Sequence, residues 1–161
     1  GFVGRVLSDA NVSSHSLTTL SDELLQATAN IASKEPLEKV AGQHLIKLGD
    51  GPAFLASFPL PLDRSYRSTD VQLRGAFAAY IDLLIEIPDG WRSSILPSDL
   101  PEVSGSWGSL HQQVKAEEQT IRLRRVVKVM KDRLTPEEFG QLRDAVNHLR
   151  GAQSLLIALE H

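Results

Sequence analysis

The chain has 161 residues and no cysteine. That absence excludes a disulfide framework, a thiolate zinc site and a cysteine nucleophile, and it fits a reducing compartment. No apolar run approaches the roughly 18 residues that span a bilayer, and no secretory leader pattern opens the chain. The expected location is therefore cytoplasmic or otherwise intracellular, with no membrane partner. Gly-rich phosphate loops, a Gly-x-Ser-x-Gly elbow and a dinucleotide fingerprint are all missing. Of His15, His44, His111 and His148, no two stand three or four apart on one helix, so the helical metal pair is missing too. Neither a cofactor nor a metal is expected.

What is present is a globular composition, with 42% apolar and 23% charged residues and a net charge of -3. These values suit one folded domain and exclude a disordered chain. The closing Leu159-Glu160-His161 reads as the start of a Leu-Glu-polyhistidine expression tag, leaving a single helical domain over 1–158 and a tag remnant over 159–161.

Apolar spacing points to helices. Leu17, Leu20, Leu24, Ala27 and Ile31 step by three and four within 16–33. A second stripe follows Pro36, through Val40, His44 and Leu48, until Gly49 and Gly51 stop it. Residues 52–62, with Pro59 and Pro61, read as an extended apolar strap. A third helix over 68–87 carries Leu73, Phe77, Tyr80, Leu84 and Ile87, and its extra apolar residues make it central. The 88–108 segment reads as a loop pinned by Trp91 and Trp107. A fourth helix runs from Ser109 to Leu134. Thr135, Pro136 and Glu138 then form a capping box that opens a fifth. With almost no loop between them, the last two would fold back on each other. The expected fold is an all-α, antiparallel up-and-down bundle of about five helices with a long C-terminal helical hairpin.

Two groups of residues stand out for function. Arg122, Arg124, Arg125, Lys128 and Lys131 form a basic run, read as a binding patch for phosphates or an acidic protein surface. No aromatic residues interleave with it, so base stacking is not indicated. The apolar residues Ile121, Val126 and Val129 exceed what one bundle contact needs, which points to a further interface, most simply a homodimer. The leading expectation is a non-enzymatic, helical protein-interaction or regulatory module that self-associates through the hairpin.

The second group is Arg143-Asp144-Ala145-Val146-Asn147-His148. It resembles the motif of the HEPN superfamily: an arginine, a polar residue and a histidine a few positions on, carried by an all-helical domain. The resemblance implies a metal-independent ribonuclease site built by two copies. Arg143 would stabilise phosphate charge, His148 would transfer protons at the ribose 2′-hydroxyl, Asp144 would orient them, and the basic run would hold RNA. This is the alternative expectation.

Overall fold

A computed structural model describes residues 11–21, 24–32, 38–47, 66–150 and 156–161. The strap expected over 52–62 lies outside them. The described residues form antiparallel sheets with one helix among them, which overturns the all-α bundle. The strands are β1 (Asn11–Ser21), β2 (Leu24–Ala32), β3 (Glu38–Val40), β4 (Gln43–Lys47), β5 (Val71–Gln72), β6 (Phe77–Glu86), β7 (Arg92–Ile95), β8 (Leu100–Gly105), β9 (Gly108–Glu117), β10 (Thr120–Val129), β11 (Arg133–Leu134) and β12 (Leu156–Glu160). The helix, α1, spans Pro136–Leu149.

The correction has a clear cause in β10. Ile121, Leu123, Val127 and Val129 are buried and alternate with exposed Arg122, Arg124 and Lys128. That is period two, the repeat of a strand with one buried face. Val126, Val127 and Val129 add β-branched residues that favour a pleated surface. Of the apolar surplus that points to a further interface, Ile121 and Val129 lie on the buried face of the strand and Val126 on the open one. β6 alternates half-buried and exposed positions over its whole length and pairs with β10 from Phe77↔Val129 to Glu86↔Thr120.

β9 reaches β10 through Glu118 and Gln119 alone, since Glu117 pairs with Thr120. No Asn-Gly or Asp-Gly marks that hairpin, and a Glu-Glu-Gln run reads as helix. The β3–β4 hairpin is better signposted. Ala41 and Gly42 both have positive φ, 50° and 88°, the turn geometry that matches strand twist. Gly108 opens β9 at φ 139°, where a Cβ would stand 1.9 Å from the Lys128 carbonyl oxygen, so no larger residue fits against β10.

The main sheet has the order β6-β10-β9-β8, and a second has the order β3-β4-β12-β7. β1 and β2 form their own two-stranded sheet, and β5 pairs with β11. The buried face of the main sheet is covered at one end by α1. There Trp107, Leu110, Val127 and Val129 pack with Phe139, Leu142, Val146 and Leu149. At the other end Ile121 and Leu123 pack with Ile157 and Leu159 of β12. Leu159 is 2% exposed, Glu160 is ion-paired to Arg92 at 2.7 Å, and His161 meets the Trp91 ring edge-on, so the last three residues take part in the fold.

The capping box appears as its residues dictate. The Glu138 N–H donates to the Thr135 hydroxyl at 3.3 Å, and the Thr135 N–H donates to the Glu138 carboxylate at 3.0 Å. Residues 88–108 contain β7 and β8 rather than one loop. Trp107 is fully buried, and Trp91 is half-buried with its ring tilted against His44 at 4.5 Å.

Candidate functional site

The alternation of β10 divides the basic run between two environments. Arg122, Arg124 and Lys128 project from the open face of the main sheet. Asp82 of β6 lies opposite Arg124 and accepts from Arg122 at 2.7 Å and Arg124 at 3.2 Å. The Arg122 hydrogen bond, helped by the charge of Arg122 and by Arg124, holds the Asp82 carboxyl below its ordinary range against the opposing effect of burial. The Lys128 ammonium lies 5.8 Å from the Tyr80 ring centre.

Arg125 faces the other way and is 4% exposed. Its Nε donates to the Gln112 side-chain oxygen, and Gln112 in turn donates to the Ser98 carbonyl at 2.8 Å. Burial pushes the Arg125 guanidinium down to about 10, which leaves it cationic at neutral pH. In sequence Arg125 falls between Leu123, of the β12 end, and Val127, of the α1 end. A single residue of strand register therefore separates a surface arginine from a core one.

Lys131 lies beyond β10 and donates to Glu138, which also accepts from the Ser106 hydroxyl. The Lys131 hydrogen bond first, then those from Ser106 and the Thr135 N–H, lower the Glu138 carboxyl to about 2. This carboxylate ties the β8–β9 turn and the exit of β10 to the start of α1. Held ionised, it is no proton donor near neutral pH.

The six-residue motif sits on α1. Arg143 is half-buried, with Nη2 donating to exposed Asp144 at 2.7 Å. It lines a cavity of about 200 Å³ with Tyr66, Arg67 and Phe139, where the Arg67 guanidinium stacks over the Phe139 ring at 4.8 Å. His148 is exposed in the last turn of α1 and does not line that cavity. The structure therefore brings Arg143 to Asp144 and Arg67, not to His148. A second cleft of about 370 Å³ lies beside β8 and β9, lined by Asp99, Glu102, His111 and Gln113 among others.

Sequence reasoning missed the Glu138 node beyond its capping role, and it missed Gln112 and Arg67. The signal for Gln112 was a polar residue at an inward position of a strand, visible only once the period is two. Ser106 lies 32 residues from Glu138, and no spacing connects them.

Comparison with known proteins decides the family. The model of the DUF3858 family, described as a domain of unknown function with solved structure, matches residues 52–159, about two thirds of the chain. The chain belongs to the DUF3858 family. Its fold is similar to part of a crystal structure of a candidate protease from Parabacteroides distasonis ATCC 8503, with a TM-score of 0.60 and 14% identity. That likeness covers 84% of this chain and 30% of the other. No curated protein matches the chain.

These findings also correct the functional expectations. There is no C-terminal helical hairpin to self-associate, because residues 108–129 form β9 and β10. The HEPN-like ribonuclease reading falls with the all-α bundle on which it depends. Among the described residues no helix is long and apolar enough to cross a membrane.

Proposed function

We propose that this DUF3858 chain is an accessory β-sandwich domain, acting as one module of a longer polypeptide of the candidate protease's kind. Its work is mechanical: to hold and present surfaces to neighbouring protein. One observation carries the reading. Most of this chain corresponds to under a third of a candidate protease, so the same fold occurs there as a minority part of a larger chain. The polar chemistry supports it. Glu138 is engaged by three donors from separate elements, and Arg125 is bound to Gln112 inside the sandwich. Both charged groups serve as cross-links between elements, the use that buried charge takes when it is fully partnered.

Hydrolysis of a quenched fluorescent casein by the purified, folded chain tests this. The accessory reading expects no turnover above buffer. Turnover that co-purifies with the chain and disappears in Ser106→Ala or His111→Ala would sink it and make this domain an enzyme in its own right.

A further inference from the structure

The edges of the two large sheets are not alike. β3 is three residues long, and β7 is four residues long and shifts register against β12. β8 carries Pro101, a register shift between Leu100 and Val103, and a terminal Gly105. Short strands, proline and bulges are the devices by which natural sheets blunt an edge against pairing with another chain. β6 has none of them. Its ten residues contain no proline, glycine or lysine. They pair with β10 in unbroken register on one side and, among the described residues, with no strand on the other.

The side chains of β6 show the same lack of cover. Ala79, Ile81, Leu83 and Ile85 are only half-buried, whereas Ile121, Leu123 and Val127 on the adjacent strand are at most 1% exposed. On the open face Tyr80 and Leu84 are 60% and 58% exposed. Asp82, the one charge in the middle of the strand, is bound by Arg122 and Arg124 and so is a weakened guard of the edge.

We propose that β6 pairs antiparallel with β6 of a second copy, joining two four-stranded sheets into one of eight about a two-fold axis at Ile81. The strand itself argues for this occupant. Opposed residues must have the same parity, because a slip of one residue would set the apolar side against the open side. Of the same-parity self-pairings, only those centred on Ile81 and on Asp82 keep nine of the ten residues paired. Centring on Asp82 places that carboxylate opposite its own copy, which is unfavourable. Centring on Ile81 sets Phe77 against Ile85 and Ala79 against Leu83 on the inner side. On the open side it sets Ala78 against Leu84 and Tyr80 against Asp82. No like charges meet, and the half-buried Ala79, Ile81, Leu83 and Ile85 gain further apolar cover. This inference does not rest on the accessory-domain reading, since an enzyme or a scaffold could pair in the same way.

The absence of cysteine makes the test direct, because one introduced thiol is the only one in the full chain. Ile81→Cys would face itself across the axis with Cα atoms about 4.5–5.5 Å apart, inside the disulfide range. Mild oxidation is expected to give a covalent dimer on a non-reducing gel, while Tyr80→Cys, which faces Asp82, gives none. Sedimentation velocity of the unmodified chain is expected to show a dimer. Leu84→Lys, at an exposed position that a lysine can occupy without disturbing the fold, is expected to leave a folded monomer. The proposal is overturned by an unmodified chain that stays monomeric at every concentration. It is equally overturned by a dimer that survives Leu84→Lys but is lost in Val103→Lys on β8. Cross-linking through Tyr80→Cys and not Ile81→Cys would overturn the register.

Discussion

The two ends of the sandwich are closed in different ways. Under α1, Trp107, Leu110, Phe139, Leu142 and Val146 are all at or below 2% exposure. Under β12, Ile157 and Leu159 are as deeply buried, but Ile46, Leu83, Ile85 and Trp91 around them remain half-buried. The covering sheet is narrow, because β12 is flanked by strands of five and four residues, while the sheet it covers has three ten-residue strands. The helix end therefore carries the larger share of stability, and the sheet end leaves a flank at β6 that can accept more protein. Arg125 marks the boundary.

Substitutions can break that comparison. Trp107→Ala, which empties the largest buried side chain of the helix end, should cost about 3–5 kcal/mol in urea denaturation. At the boundary, Gln112→Leu takes one acceptor from the buried Arg125 guanidinium and should cost about 1–3 kcal/mol. A neutral result there would mean that the two ends are not joined through this pair. At the sheet end, Ile46→Val should cost no more than about 1 kcal/mol, because the site is only half-buried. A loss equal to that of Trp107→Ala would erase the difference between the ends.

Two further measurements sharpen the account of the helix end. Thr135→Ala removes the cap of α1 and should cost about 1 kcal/mol, read from the same urea curves. Glu138 sets a pH dependence. Its folded carboxyl is lowered to about 2 from 4.5, so its contribution is fully present above pH 4.5 and is lost as pH falls toward 2. Between those values the wild type should lose stability faster than Glu138→Gln, and the two should converge at the acid end. Parallel curves across that window would show that the Lys131 and Ser106 contacts do not hold the charge.

How much of this was legible varies along the chain. The start of α1 was, because a capping box is local chemistry: Thr135, Pro136 and Glu138 act within one turn. The strands were not, for a specific reason. Around β10, Leu123, Val127 and Met130 fit a helical step of four and three, Ile121, Leu123, Val127 and Val129 fit alternation, and only burial separates the two. Met130 is 73% exposed and Val129 is 1% exposed, the reverse of what that helical stripe requires. β6 looked like a helix with too much apolar surface because it is half-covered on one side and open on the other. Nothing adjacent to β6 in the sequence marks a partner strand. The partner is β10, 34 or more residues further on.

The sequence by itself determined the things that act at short range or through composition. These are a cysteine-free globular chain and the helix start at Thr135. Only the tertiary structure decided which period is real, which face of β10 is buried, and therefore that Arg125 is a core residue while Arg122 and Arg124 are not. The physical reason is that a strand has no internal hydrogen bonds. Its backbone is satisfied only by a neighbour, and that neighbour is chosen by the whole chain.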